Sequence, residues 1–501
     1  MLTNLLGKFF KTVFLTILIL EICSFWSQQF WWLNSLFFGL ILGITLLVSL
    51  INLEYGLYIL LTELFIGSKG YLFYLDLGGW QISIRIGIFL VVLAVWLYHS
   101  LFGRRANQFF SFRNQFLFYY LALGLFIVIG LFNGLAHHSF NQVFFDFNGW
   151  LYFAVAPLFF SAITSAKVIR HILSILLAAA SYLAIKTLFL LVIFAHQLTL
   201  PLAVIYRWIR NSGVGEITFV SGNFYRIFFQ SHLFLLIALL IVLAIILFIP
   251  KINFKKAERN WLYFLSFLFS TAVISSLSRS FWLGLIVAFI CLFTVYIFQY
   301  KIRIIGLFKI FSVILIVLVL EVGFLNLLTF NFTALPLALP LEKRFTNLTQ
   351  EAAGASRIAQ LEPLFSAIKK QPILGAGFGQ SVTYQSLDPR VKSFSPEGNY
   401  TTYAFEWGYL DLWLKIGLFG LLSYFLLLGK VIYEAKEFLK ASLEIKVLAT
   451  SVVCGLIAVI VTSIFSPYLN HPLGISYLIL TTAILSYLRN YDTLSPKEIS
   501  C

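Results

Sequence analysis

Two arginines and one glutamate have the types and positions that binding of a phosphate group and removal of a proton beside it would require. Arg279 lies in the segment SSLSRS between two apolar runs with almost no loop, and Arg226 precedes another apolar run. A guanidinium near apolar helix ends is costly unless it is paired or faces a watery cavity, and its planar fork suits phosphate or carboxylate. Glu406 stands at the start of a further run, where desolvation could raise its pKa and make it a general base. The pattern indicates an anion site at the membrane–water boundary, such as a lipid-linked diphosphate would occupy, with a carboxylate beside it.

Each of these residues also has a purely structural interpretation. The two arginines could anchor helices to lipid headgroups, and Glu406 could complement a helix dipole. His471, in the segment SPYLNHP, is interpreted first as structural. The site hypothesis therefore requires that Arg226, Arg279 and Glu406 converge on one outward-facing cavity beside a lipid-sized groove.

The elements that must position these residues are membrane helices. The chain has 501 residues, of which 60% are hydrophobic and only 11% charged. Soluble domains are about 45–50% apolar and about 25% charged, so a soluble enzyme, a secreted disulfide scaffold and a disordered chain are excluded. The composition predicts one integral membrane domain over residues 1–501.

Apolar runs long enough to cross a bilayer follow one another along the chain. A span needs about 20 residues, and the run at 54–67 is short enough to form a broken pair with its predecessor. We therefore predict an all-α polytopic bundle of about 12 to 14 spans. The runs lie near 9–26, 30–51, 54–67, 84–102, 115–135, 149–166, 172–195, 231–250, 261–278, 281–299, 304–328, 407–429, 447–466 and 472–488.

The net charge of +15 becomes informative when each basic residue is assigned to the inner or the outer side of the membrane. With the N-terminus inside, all but one of the predicted cytoplasmic connections are basic, which is the usual topology signal and predicts no nucleic-acid partner. The cations left on the outer side are the informative ones: Arg207, Arg210, Arg226, Arg279, Lys343, Arg344, Arg357, Lys369, Lys370, Arg390 and Lys392.

Most of the outer cations fall in one long loop, residues 331–404, inserted between two spans. Within it, residues 356–370 have a helical apolar face formed by Ile358, Leu361, Leu364 and Phe365, with Ser356 as N-cap. This face could lie on the membrane surface or on the bundle. Pro372 and the glycines at 375, 377 and 379 end this helix. The glycine run has no dinucleotide-binding context and predicts a tight loop that passes close to something.

Metal and cofactor sites have no support in the sequence. The four cysteines show no C-x-x-C spacing, and the outer side carries no Asp-x-Asp or similar acidic cluster. Arginines would therefore have to neutralise bound phosphates. We predict no metal and no cofactor.

Several motifs, in order, resemble the O-antigen ligase and O-antigen polymerase superfamily. They are YR226 before a span, SLSR279S with a following LG, Arg344 and SR357 in the outer loop, KKQP372ILGAGFG, and Y409LDLWLKIGLFG. The resemblance covers about residues 200–430. It implies a helical membrane glycosyltransferase with a GT-C-like core that moves a glycan from undecaprenyl diphosphate onto a sugar hydroxyl at the periplasmic face, without a metal.

The resemblance also implies roles for individual residues. The diphosphate would bind Arg226 and Arg279, and also Arg344 and Arg357. Further substrate-binding candidates are Arg210, Gly375, Gly377, Tyr409 and His471. Ligases of the superfamily have a His-Asn pair before the Tyr-Leu helix, where this chain has Glu406-Trp407, and this departure favours a polymerase or divergent transferase with Glu406 as base.

The expected partners are a lipid-linked glycan donor, a glycan or lipid A-like acceptor and membrane lipids of the bacterial inner membrane. Two other classes of function remain as alternatives. A flippase for lipid-linked oligosaccharides or another transporter would explain the spans and the arginines, but not the long outer loop. A structural assembly protein is disfavoured by the outer cation cluster.

Overall fold

The computed structural model describes residues 1–78, 80–102, 115–198, 202–248, 254–300, 304–329, 352–387, 389–393 and 395–494. Helices dominate these ranges. They are α1 (Lys8–Ser27), α2 (Trp31–Ile51), α3 (Leu53–Ile66), α4 (Ile84–Phe102), α5 (Leu117–His137), α6 (Phe140–Phe147), α7 (Ala156–Ala162), α8 (Ala166–Ala195), α9 (Leu202–Asn211), α10 (His232–Phe248), α11 (Lys256–Ser275), α12 (Arg279–Tyr300), α13 (Ile304–Leu328), α14 (Ala352–Lys370), α15 (Pro389–Lys392), α16 (Gly408–Glu437), α17 (Leu443–Thr462) and α18 (Pro472–Leu494).

The prediction of an all-α polytopic bundle is confirmed. Within the described ranges, eleven helical segments are long and apolar enough to cross a membrane. The eleven are fewer than the predicted 12 to 14, because the runs at 54–67, 231–250 and 261–278 form helices that are shorter or more polar than the others. The break between α2 and α3 falls at Asn52, which has an extended backbone and caps α3 through its side chain.

The bundle has a protein-packed centre and an apolar periphery. Roughly four fifths of the residues in the most apolar stretch of each central helix are buried; these helices are α8, α17 and α18. In the peripheral helices α1, α2, α12 and α13 the buried share is about a fifth or less. On the outer helices large apolar side chains remain exposed, as for Leu47 and Val319. Such a surface is unfavourable in water and favourable against lipid chains.

Three short antiparallel hairpins join helix ends. The strands are β1 (Tyr74–Asp76) with β2 (Gln81–Ser83), β3 (Gly215–Ser221) with β4 (Phe224–Phe229), and β5 (Val382–Gln385) with β6 (Asn399–Thr402). In the second hairpin Thr218 pairs with Arg226. Arg226 therefore lies on a strand leading into α10.

The loop helix differs from its prediction. α14 begins at Ala352, so Ser356 lies inside the helix and is not its N-cap; its hydroxyl accepts a hydrogen bond from the Leu387 N–H. Leu364 is buried as predicted, but Ile358 and Phe365 are half exposed. Leu364 packs with Val382 of β5 and Leu414 of α16, whereas Ile358 and Phe365 remain open to the membrane surface.

The glycine run after α14 passes against two other backbones, which confirms the predicted tight loop. Gly375 and Gly377 both have positive φ. A Cβ on Gly375 would stand 2.5 Å from the Gly417 nitrogen, and one on Gly377 would stand 2.3 Å from the Gly134 nitrogen. The loop is thereby fastened to α16 and to α5.

Candidate active site

One cavity of about 520 Å³ lies where several helix ends meet on the same side of the bundle. The end of α3, the β3–β4 hairpin, the α11–α12 turn, the start of α16 and the approach to α18 all contribute to it. Its lining residues are Lys69, Arg210, Gly213, Gly215, Glu216, Arg226, Phe228, Gln230, Leu277, Ser278, Arg279, Ser280, Arg357, Glu406, Phe465, Ser466, Pro467, Tyr468 and His471. Five cations against two carboxylates give this wall a net positive charge.

Arg279 and Arg226 meet at the α11–α12 turn. Arg279 is the first residue of α12, and the turn before it holds Leu277 at φ +47°. Arg226 Nε donates to the Ser276 carbonyl over 2.9 Å, and its guanidinium lies 4.7 Å from the Phe228 ring centre. A helix N-terminus with two guanidinium groups beside it attracts anions, because the helix dipole and both charges act in the same direction.

Glu406 reaches the same cavity from the start of α16. Its carboxylate accepts a hydrogen bond from Arg357 Nε, and the Trp407 indole donates to the Arg357 carbonyl over 2.8 Å. The Glu406 side chain is 46% exposed, so the structure does not supply the desolvation suggested by the sequence. The contacts join α14 to α16.

Arg210 and His471 also line the cavity. Arg210 comes from the short amphipathic helix α9 and pairs with Glu216 over 3.1 Å. His471 Nδ1 accepts a hydrogen bond from the Leu473 N–H. Burial and the nearby charges of Arg85 and Lys69 hold the pKa of His471 well below its usual value. The ring is therefore neutral near pH 7, with its proton on Nε2.

This neutral ring predicts a simple pH result. Because the pKa of His471 is lowered, its protonation lies well below pH 6 and cannot produce an inflection in activity between pH 6 and 8. We expect His471→Gln, which keeps an N–H donor, to leave the shape of the pH–activity profile unchanged. Loss of an inflection in that range on substitution would contradict the assignment.

The other candidate residues lie elsewhere. Tyr409 is outside the cavity lining; its hydroxyl donates to the Ile460 carbonyl over 2.7 Å. Gly375 and Gly377 are also outside the lining and pack against α16 and α5. Arg344 lies outside the described residues.

Sequence reasoning missed Lys69. This residue follows α3 and lines the cavity. The signal that could have found it is its position: a lysine just after the short apolar run at 54–67 falls on the outer side under the predicted topology, like the arginines.

A buried ionic network is connected to the segment that carries His471 into the cavity lining. Lys415 Nζ lies 2.5 Å from Asp146 and 2.7 Å from Asp411, and all three side chains are nearly inaccessible. Asn470 donates to Asp411 over 2.5 Å, and Asn470 directly precedes His471 in the chain. The network thus links α6 and α16 to the segment that brings His471 to the cavity.

Lys415→Met should strongly destabilise the protein. The substitution leaves two buried carboxylates without their cation, and breaking such a pair costs about 3–5 kcal/mol. We expect a large loss of thermal stability in detergent, measured by fluorescence-detected unfolding. The exposed Lys369→Met is the matched control and should melt like the wild type. Equal melting of both variants would show that the network is dispensable.

No group of three or more histidine, cysteine, aspartate or glutamate side chains in the described part of the chain could hold a metal ion. The arrangement can bind an anion with several negative oxygens, and the same wall holds the Glu406 carboxylate and the neutral imidazole of His471.

The fold and the cavity define a polytopic membrane protein with a cationic, phosphate-compatible site at its helix ends. Residues 264–425 match the family model described as O-antigen ligase, which confirms the resemblance to the O-antigen ligase and polymerase superfamily. Arg279, Arg357 and Glu406 lie within the matched segment, whereas Arg226 lies before it. Comparisons with curated proteins and with solved structures give no significant match.

Proposed function

We propose that this protein is a membrane glycosyltransferase that transfers or polymerises glycan units from an undecaprenyl-diphosphate-linked donor onto a sugar hydroxyl at the periplasmic face. The family match supports an enzyme of the O-antigen ligase or polymerase type. The observation that carries the proposal is the cavity in which Arg226, Arg279 and Glu406 meet. The site belongs to a bundle with many apolar helices, as a lipid-linked substrate requires.

In the proposed reaction the acceptor hydroxyl attacks the anomeric carbon of the donor sugar. The bond between that carbon and the diphosphate oxygen breaks, and undecaprenyl diphosphate leaves with the electron pair. Arg279 and Arg226, with the α12 N-terminus, stabilise the negative charge that develops on the leaving group. Attack opposite the leaving group inverts the configuration of the anomeric carbon.

Glu406 is the proposed acceptor of the hydroxyl proton. A carboxylate has about four lone-pair positions, so the hydrogen bond from Arg357 leaves room for a hydroxyl donor. Arg357 can exchange its bond to Glu406 for one to a bound phosphate, because guanidinium groups bind both anions in the same fork geometry. Donor binding would then release the base beside the bound substrate.

The charge on the cavity wall favours a transferase over a transporter. A flippase has to release its phosphate-bearing cargo on the other side, whereas a transferase gains rate by binding the leaving group most tightly in the transition state. The meeting of Arg226, Arg279 and an acidic residue at one wall suits the second requirement.

The test is a reaction with a defined substrate. The purified protein would be reconstituted into lipid vesicles with an undecaprenyl-diphosphate oligosaccharide, and products would be separated by mass. Longer glycans on the lipid indicate a polymerase, and transfer to an added lipid acceptor indicates a ligase. Movement of the substrate across the bilayer without any new glycosidic bond would overturn the proposal in favour of the flippase.

A further inference from the structure

The turn that carries Lys69 is held in an unusual backbone conformation. Ser68, fully buried, has φ +50°, and Gly70 has φ +91°. A positive φ is uncommon for residues other than glycine. Such backbone strain persists only where neighbouring groups hold it, and it is concentrated at binding sites.

Two sets of buried contacts hold this turn. Arg85 Nη1 donates to the Ser68 carbonyl over 2.5 Å, while the same guanidinium binds both Glu63 oxygens at 2.8 and 3.0 Å. The Ser68 hydroxyl donates to the Ser231 hydroxyl over 3.0 Å and accepts from the Ser231 N–H over 3.1 Å. The turn is therefore fixed to α3, α4 and the start of α10.

The Lys69 side chain leaves this rigid turn and enters the cavity lining. Its aliphatic stem crosses Gly213, where an added Cβ would stand 3.1 Å from the Lys69 Cβ. Lys69 is exposed, and its ammonium group shows no hydrogen-bond or ion-pair partner within the described ranges. Lys69 lines the same cavity as Arg226, Arg279 and His471.

We propose that Lys69 is a further phosphate-binding residue of the cavity, which holds the diphosphate of the donor together with Arg226 and Arg279. This inference rests on the proposed function. Arg226 and Arg279 approach from the β3–β4 hairpin and the α11–α12 turn, whereas Lys69 approaches from the α3–β1 connection. A diphosphate has two charged centres, so cations on separate elements can each bind one of them.

The chemistry of lysine suits this position. An ammonium is a compact charge with three donors on a flexible stem, and it binds phosphate as a point charge. The held turn reduces the conformational freedom that binding would otherwise remove. Lys69 lies outside the segment that matches the O-antigen ligase family, so the family match assigns it no role.

The test measures binding of farnesyl diphosphate and farnesyl monophosphate to the full-length protein in detergent. We expect Lys69→Met to weaken diphosphate binding by about tenfold, which corresponds to loss of one charged hydrogen bond, and to weaken monophosphate binding less. Lys69→Arg should restore diphosphate affinity to within about threefold of the wild type. Lys370→Met, an exposed lysine outside the cavity lining, should bind like the wild type.

The outcomes separate this inference from the proposed function. Wild-type affinity in Lys69→Met, with binding lost in Arg279→Ala, would overturn the role of Lys69 and leave the proposed function standing. Absence of diphosphate binding by the wild type would overturn both. Melting without ligand checks folding, and Lys69→Gln repeats the measurement: weakened binding in a variant that melts like the wild type supports the role, and full binding in either variant overturns it.

Discussion

Arg279→Ala should reduce glycan transfer by at least about a hundredfold while the protein remains folded and inserted in the membrane. Removing one donor to developing negative charge costs about 2.7–4 kcal/mol in activation free energy. Arg279 stands at the N-terminus of α12, beside Arg226 and within the cavity lining. The measurement is the initial rate of product formation in reconstituted vesicles with a saturating donor.

Two further variants make this result specific. Arg279→Lys keeps the charge but loses the planar fork, so it should recover only part of the rate. Arg259→Ala removes an exposed arginine from the opposite end of α11, about 24 Å along that helix from its cavity-side end, and should leave the rate unchanged. Normal product from Arg279→Ala would contradict the proposed role, as would an equal loss in Arg259→Ala.

Gly417→Ala should prevent correct folding. Gly417 interrupts α16 with φ 70° and ψ −179°, a region that only glycine adopts readily. An added Cβ would stand 2.2 Å from the Ile373 carbonyl oxygen and 2.4 Å from the Leu374 carbonyl carbon, so backbone atoms would have to move. Backbone strain and overpacking together cost more than about 3 kcal/mol.

The same helix offers a matched control for that substitution. A Cβ on Gly429 of α16 meets nothing within 4 Å, and alanine favours a helix over glycine by about 1 kcal/mol. We expect Gly429→Ala to melt at or above the wild-type temperature, and Gly417→Ala to give little extractable protein or a much lower melting temperature. Equal yield and melting of the two variants would show that the glycine loop need not pack against α16.

The membrane bundle could be predicted because composition and apolar runs report directly on the solvent of the helices. Eleven helical segments in the described part of the chain are long and apolar enough to span a membrane, and α14 ends at Lys370 where Pro372 and the glycines predict its end. The sequence predicts an apolar face on α14 but not the surface that this face contacts. The helical periodicity of this segment does not predict whether the membrane, α16 or β5 covers the apolar face. In the structure Ile358 and Phe365 are half exposed.

The candidate site, too, could be predicted from the sequence only in part. Sorting the cations by side of the membrane led to Arg226 and Arg279, and the position at a helix start led to Glu406; the structure places the three at one cavity. It also shows two facts that no spacing encodes: Glu406 accepts a hydrogen bond from Arg357, and Gly375 and Gly377 pack against other helices outside the cavity lining. The catalytic and binding roles of Arg226, Arg279 and Glu406 are proposals that the glycan-transfer and binding experiments test.

Local chemistry and hydropathy decided the class of this protein, because a bilayer imposes length and polarity on each span separately. The residues of the site were brought together only by tertiary structure. Lys69, Arg226, Arg279 and Glu406 stand far apart in the chain and meet at one cavity because the end of α3, the β3–β4 hairpin, the α11–α12 turn and the start of α16 lie on the same side of the bundle. Which helices become neighbours depends on packing between elements distant in sequence, and periodicity within one element carries no information about that choice.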